Sequence, residues 1–445
     1  MAQSFDLLIK GGTLVNHAGE GLADIGARAG RIVAIGDLAS AEAGRVIDAT
    51  GLHVLPGVID TQVHFREPGL EHKEDLQSGS RSAVLGGVTA VFEMPNTKPA
   101  TVSHEALAEK VKRGRGRMYC DFAFFVGATH ENVKELPELE RLPGAAGIKV
   151  FMGSSTGDLL VDDEETLARI LALIRRRAAF HAEDEARLRE RARLRREGDP
   201  ASHTEWRDEE AALTATTKLL RLAEAAGKRV HVLHVSTAAE MRLLSRHKDL
   251  ASVEVTPQHL TLATPDIYRK LGTKAQMNPP LRDAVHQEVL WWGLREGVVD
   301  VLGSDHAPHT LEEKSQSYPA SPSGMPGVQT LVPVILDHVN SGRLSLARFV
   351  DLTSAGPQRL FNIAGKGRIA VGYDADLTIV DLKAERVIED AWIGSRAGWT
   401  PFAGRKVRGW PIGTIVRGNV AMWEGETGAP SGEPVRFADA YPAIS

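Results

Sequence analysis

The sequence predicts an α/β protein, a (β/α)8 barrel that carries a small β-sandwich domain built from both termini. Three observations predict it. From about residue 56 to 364, short β-branched runs alternate with amphipathic stretches, the pattern of parallel strands covered by helices. The runs number eight, the count that closes a barrel. Potential catalytic side chains fall at the carboxyl ends of those runs, where a barrel collects its chemistry.

The first strand, Val58 to His64, leads into Arg66-Glu67-Pro68-Gly69, and at period two Asp60, Gln62 and His64 leave on one face and converge. Thr89 to Glu93 follows and runs into Met94-Pro95-Asn96-Thr97; Cys120 to Val126 is third. The fourth, Gly147 to Met152, sets Lys149 among apolar residues. Ala178 to His181 and Arg229 to Val235 each deliver a histidine, His181 and His234. Ser252 to Thr256 is seventh, and Val299 to Asp305 completes the set over a catalytic domain at residues 56–364. Residues 1–55 and 365–445 break instead into short strands between glycine turns, such as Arg31 to Gly36 and Ala375 to Asp381, and are expected to form one sandwich domain. The charged run 183–197 reads as a solvated helix, and the residues from Gly428 onward as a loose tail.

A chain of 445 residues, 42% of them hydrophobic, can bury a large core. The net charge of −5 and the lack of a basic block interleaved with aromatics argue against nucleic-acid binding and leave a small molecule as partner. No apolar stretch reaches the ~20 residues that span a bilayer, and no signal-peptide pattern opens the chain, so a cytoplasmic protein without a membrane partner is expected. Cys120 is the one cysteine, a packed core thiol; an internal disulfide is excluded, and any metal site falls to His, Lys and carboxylates.

His64, His181, His234 and Asp305 offer the nitrogen and oxygen donors that zinc takes, with a position left open for water. Lys149 is the odd member, because a bare ammonium in that apolar segment is costly to bury. Carbamylation by carbon dioxide would convert it to an anionic carboxylate able to bridge two metal ions.

With these residues in place, the chain is similar to the amidohydrolase superfamily and closely resembles its class I dihydroorotases over nearly its whole length. The matching segments are Asp60 to Gly69, Met94 to Thr97, Gly147 to Met152, His181 to Asp184, His234 to Thr237, Asn278 to Arg282 and Ser304 to His309. The resemblance implies a carboxylated Lys149 that holds one Zn2+ with His181 and His234. It implies that His64, Lys149 and Asp305 help hold a second, so that one or two ions bind, and that the chain forms a homo-oligomer, a dimer or tetramer. Two positions depart from the pattern: Gln62 stands where the family has histidine, and Gln258-His259 where it has a histidine pair. A glutamine offers only a neutral amide oxygen, so Gln62 enters as a weaker metal ligand. His259 and His231 read as packed histidines, whereas His306 is open to either packing or orienting a ligand.

Arg66 points to the substrate, because a guanidinium forms a bidentate, charge-assisted pair with a carboxylate. In the family pattern Arg66, Asn96 and His309 hold the ring carboxylate of dihydroorotate, Asn278 bonds the ring, and Ser323 to Gly327 resembles the loop that closes over it. The expected activity is the reversible, zinc-dependent hydrolysis of (S)-dihydroorotate to N-carbamoyl-L-aspartate in de novo pyrimidine (UMP) synthesis. Asp305 is the expected catalytic acid and base, taking the proton of the attacking water and passing it to the leaving nitrogen. Two alternatives remain: a cyclic amidase acting on hydantoin, dihydropyrimidine or allantoin rings, and a non-catalytic dihydroorotase-like partner of aspartate transcarbamoylase.

Overall fold

Eight parallel strands, each hydrogen-bonded to the next in chain order, form the central sheet: Val58–Val63, Val88–Glu93, Asp121–Gly127, Ala145–Phe151, Ala179–His181, Val230–Val232, Ala251–Val255 and Val301–Leu302. The ring closes where Val63 bridges His306 in parallel and the His64 amide donates to the His306 carbonyl at 2.7 Å. This computed structural model describes residues 4–155 and 159–441. All eight expected strands form. The sixth and eighth are shorter than expected, because the chain leaves extended geometry on the way to His234 and Asp305, which take φ of +35° and +43°.

Alternation along the strands sorts the apolar residues. On the third strand Phe122, Phe124 and Val126 pack outward against helices, and Ala123 and Phe125 fill the interior. A typical covering helix, Glu209–Ala226, starts where the Asp208 side chain accepts from the Ala211 amide. It buries Ala212, Ala215, Leu219 and Leu222, and stops at Gly227 in the left-handed region. The barrel floor is aromatic: Phe92, Phe125 and Phe361 meet edge to face, with centroids 5.2 to 6.3 Å apart.

The two ends of the chain share a pair of packed sheets. One orders Arg31–Gly36, Asp24–Arg28, Ser4–Lys10 and Glu42–Asp48; the other orders Glu426–Thr427, Asn419–Trp423, Lys406–Val416, Leu377–Val387, His53–Pro56, Thr13–Asn16 and Gly19–Leu22. His53–Pro56 is the seam, antiparallel to Leu377–Val387 on one side and parallel to Thr13–Asn16 on the other. Leu7, Ile9, Ile25 and Ile47 pack with Leu377, Ile379 and Ile415 in one core. Among the described residues no helix is long and apolar enough to cross a membrane.

Two segments differ from expectation. The described part of the final stretch is not loose: the Val435 amide donates to the Phe122 carbonyl, the Phe122 amide to that of Glu433, and Val435 and Phe437 are buried against the floor. Gly432 permits this, since a Cβ there would lie 1.9 Å from the Cys120 carbonyl oxygen. The charged run 183–197 is only partly a solvated helix. Glu185–Arg191 is helical, but Glu183, Asp184 and Glu185 are buried, because they serve the site at the barrel mouth and the cap of that helix.

Candidate active site

A narrow cleft opens at the carboxyl ends of the strands, lined in part by Gln62, His64, Arg66, Lys149, His181, His234, Asn278 and Asp305. The structure thus brings together eight of the ten predicted site residues. The other two stand one contact behind: Asn96 Oδ1 is 2.8 Å from His64 Nδ1, and His309 Nε2 is 3.4 Å from Arg66 Nη2. Asp60 does not converge with Gln62 and His64. Its Oδ1 accepts the Ser304 and Gln62 amides, at 2.9 and 3.2 Å, and so braces the first strand against the eighth. Arg66, His234 and Asp305 all have positive φ, +66°, +35° and +43°. Each costs on the order of 1 kcal/mol or more, a strain that the surrounding packing must hold.

Two donor pairs face one another across the cleft. His181 Nε2 donates to Glu183 at 2.8 Å, which leaves Nδ1 as a lone pair 3.2 Å from His234 Nε2. Burial lowers both imidazole pKa values, so both rings are neutral at pH 7, and His234 Nδ1 is buried without a hydrogen-bond partner. Two nitrogen ligands of a tetrahedral zinc lie roughly 3.3 Å apart, the spacing these rings already have. Burial alone would raise the Glu183 carboxyl, but the Arg207 guanidinium at 2.7 Å and the His181 ring hold it well below the usual carboxylate range. It is therefore an anion that fixes the His181 tautomer.

The second pair is His64 and Asp305. With Asn96 Oδ1 accepting from His64 Nδ1, the His64 Nε2 lone pair faces Asp305 Oδ1 at 3.1 Å. Two acceptors at that distance suit a cation between them, and burial keeps this ring neutral too. Gln62 Nε2 donates to the same Asp305 oxygen at 3.1 Å, and its Oε1 is buried without a partner. Lys149 is fully buried and makes no hydrogen bond or ion pair among the described residues; its Nζ lies 4.6 Å from the Phe151 ring centroid. Burial pulls its pKa down to about 7, so much of it is a neutral, nucleophilic amine near neutrality. Neutral imidazoles, a carboxylate and an amine able to take up carbon dioxide fit a zinc centre. The tightest acidic cluster among the described residues, Asp121, Asp374 and Asp376, does not, because the Lys366 ammonium is bonded to all three.

Arg66 forms the opposite wall. Its side chain is 1% exposed, Nε donates to the Pro308 carbonyl at 3.2 Å, and Nη1 is buried without a partner. No carboxylate pairs with it among the described residues, and burial pulls its pKa down to about 10. A buried guanidinium with unfilled donors is a site for an anion. Asn278 Oδ1 accepts from His203 Nε2 at 2.9 Å, which leaves its amide NH2 for the cleft. Ser323 and Gly324 roof the cleft; Gly324 has φ +135°, and a Cβ there would lie 2.5 Å from the Ala307 carbonyl oxygen.

Sequence reasoning missed Glu183 and Arg207. Glu183 lies two residues beyond His181, a spacing that could have placed it beside the ring, whereas nothing in the sequence marks Arg207. It also missed Glu254, which lies on the seventh strand, accepts from Thr61 at 2.8 Å and is pushed up to about 8 by burial. His259 is packed between Thr256 and the Pro279 carbonyl, and His231 against Ser252. His306 accepts the Gly327 amide and reaches Glu74, so it braces the roof loop. Gln258 Nε2 donates to the Ser304 carbonyl at 2.7 Å.

The amidohydrolase family model matches residues 53–421. The chain is 38% identical over 420 residues to a dihydroorotase of Methanosarcina mazei, covering 91% of each. It is 39% identical over 405 residues to one of Halobacterium salinarum, covering 89% of this chain and 92% of that one. Among solved structures, an L-hydantoinase (dihydropyrimidinase) from Arthrobacter aurescens superposes with a TM-score of 0.92 at 32% identity, over 97% of this chain and 99% of that one. A D-hydantoinase (dihydropyrimidinase) from Thermus sp. gives 0.89 at 28%, over 98% and 100%. Fold likeness therefore spans several cyclic amidases, and the substrate is argued from the site.

Proposed function

The chain belongs to the amidohydrolase family, a metal-dependent family, and from that membership we propose that this cyclic amide hydrolase is a dihydroorotase. It interconverts (S)-dihydroorotate and N-carbamoyl-L-aspartate in pyrimidine synthesis. The observation that carries this reading is Arg66, a buried guanidinium on the cleft wall with no carboxylate partner and an unfilled Nη1. Hydantoin and dihydrouracil rings lack the carboxylate that would neutralise it, whereas dihydroorotate carries one. The single cysteine, a buried free thiol, accords with a reducing cytoplasm. Assembly into a dimer or tetramer is carried over from the family alone.

In this reading His181, His234 and a carboxylated Lys149 would hold one zinc, and His64, Asp305 and Lys149 would help hold a second, with Gln62 Oε1 as a weak further donor. Bound zinc supplies Lewis acidity toward the ring carbonyl and lowers the pKa of the attacking water. The ring carboxylate pairs with Arg66, with His309 steadying that guanidinium from behind and Asn96 steadying the His64 ring, and Asn278 donates to the ring. The Asp305 carboxylate takes a proton from the attacking water and delivers it to the departing ring nitrogen as the C–N bond breaks. Ring closure runs the same steps backward and consumes one proton, because a dianion becomes a monoanion and water. Lower pH therefore favours dihydroorotate.

The test is ring opening by the zinc-reconstituted protein, with carboxylate-free dihydrouracil as control. Turnover of dihydroorotate with little on dihydrouracil supports the reading. Turnover of dihydrouracil at an equal or higher rate would replace it with a dihydropyrimidinase.

A further inference from the structure

At the opposite end of the barrel a second cleft, about 900 Å³, opens between the starts of the fourth, fifth and sixth strands and the segment around Phe361. Its walls are strongly basic. Arg175, Arg177, Lys228 and Arg229 all line it, and none of the four makes an ion pair among the described residues. The carboxylate at its rim, Asp439, is already taken by Arg176 in a bidentate pair at 2.8 and 2.9 Å. Arg177 is half-buried with no hydrogen bond, and burial together with the Arg229 charge pulls its guanidinium down to about 10. Arg177 feels the Arg229 charge at a partly buried wall, whereas Arg175 and Arg229 reach solvent, and a bound anion would relieve that repulsion. The floor is different in kind: Leu360 is half-buried there, over the buried side chains of Ala146 and Phe361. Of the cleft's space about 380 Å³ is free for a bound molecule, within the range of small-molecule sites.

We propose that this floor cleft is a binding site for a polyphosphate-bearing small molecule, separate from the catalytic mouth. Four cations without an ion pair among the described residues, of which Lys228 is bonded to the Ile174 carbonyl, supply positive charge for a triphosphate chain, and guanidinium groups suit phosphate oxygens. The apolar floor offers a surface for a planar base, so the shared chemistry has two sources, a free polyphosphate and a nucleoside triphosphate.

The test is titration calorimetry of tripolyphosphate, and separately of adenosine and uridine triphosphates, into the zinc-loaded full chain. The Arg177→Ala/Arg229→Ala double variant is run beside it, and its ring-opening rate reports that it is folded. Saturable one-to-one binding that weakens about tenfold or more in the double variant, with ring opening retained, is the expected result. Tighter binding of a nucleoside triphosphate than of tripolyphosphate identifies the nucleotide as the ligand and the apolar floor as its base site. Equal affinities assign the site to the phosphate chain alone. No saturable binding of any of them, or binding untouched in the double variant, overturns the proposal.

Discussion

At the amino-terminal end of the barrel Lys366 is fully buried among Asp121, Asp374 and Asp376, with Arg417 and Arg436 completing the charge balance. At the carboxyl end Arg66 and Lys149 are as deeply buried, and neither has a carboxylate partner among the described residues. The same physics governs both ends, since a buried charge must be paired or must lose its charge. At the floor the pairing is internal, so that cluster joins the start of the third strand to the segment 366–376. At the mouth the partners are missing among the described residues, and in the proposed reading the unfilled groups are those that substrate and metal would fill. Burial alone does not distinguish a structural charge from a functional one; what distinguishes them is whether the protein supplies the counter-charge.

Substitutions can sharpen that contrast. The largest effect is expected at Asp305. Asp305→Ala removes the proton carrier and should lower kcat by a factor of about a thousand or more with an unchanged circular dichroism spectrum; a rate within tenfold of the parent would show that another group moves the proton. At the floor, Lys366→Met leaves three buried carboxylates without their central cation. It should cost about 3–5 kcal/mol in urea unfolding while the rate per folded molecule stays the same. The Lys366 pKa is raised, so its stabilisation is present below the ordinary lysine value and is lost only as pH climbs through the folded value. Unfolding that is no easier in the variant would remove the floor cluster from the structural side of the comparison.

Smaller effects probe how the mouth is held. Glu183→Gln frees the His181 tautomer and should weaken zinc retention about 10- to 100-fold against a chelator. Retention equal to the parent would show that Glu183 serves only Arg207. Lys149, with its pKa near 7, should take up carbon dioxide as the neutral amine. Metal-stripped protein given zinc at a fixed concentration of dissolved carbon dioxide should then recover about tenfold faster at pH 8 than at pH 6, following the neutral fraction. A rate independent of pH would argue against an amine that titrates in this range.

Much of this was legible before the structure. The barrel strands announced themselves as β-branched runs, and because a barrel projects its strand ends to one face, His64, Lys149, His181, His234 and Asp305 could be placed together without coordinates. Glu183 was hidden because a charged run looks the same whether its first residue faces solvent or a histidine behind it. Residues 431–441 misled for a related reason: glycine and proline usually mark loose chain, yet Gly432 is what lets backbone touch Cys120, and Val435 and Phe437 are too few to show a period. The seam at His53–Pro56 was out of reach, since nothing in four residues tells which of two distant strands will flank them. Asp60 was misplaced because period-two reasoning assumes a regular strand, and the pairing of the first strand with the second shifts register between Asp60 and Val63.

In the proposed reading Arg66 is left without a carboxylate partner to receive that of the substrate. The measurement that tests it most directly is the ratio of kcat/KM for dihydroorotate to that for dihydrouracil, in the parent and in Arg66→Met, both loaded with zinc. The ratio should fall about 10- to 100-fold in the variant, through a higher KM for dihydroorotate. An unchanged ratio would contradict it.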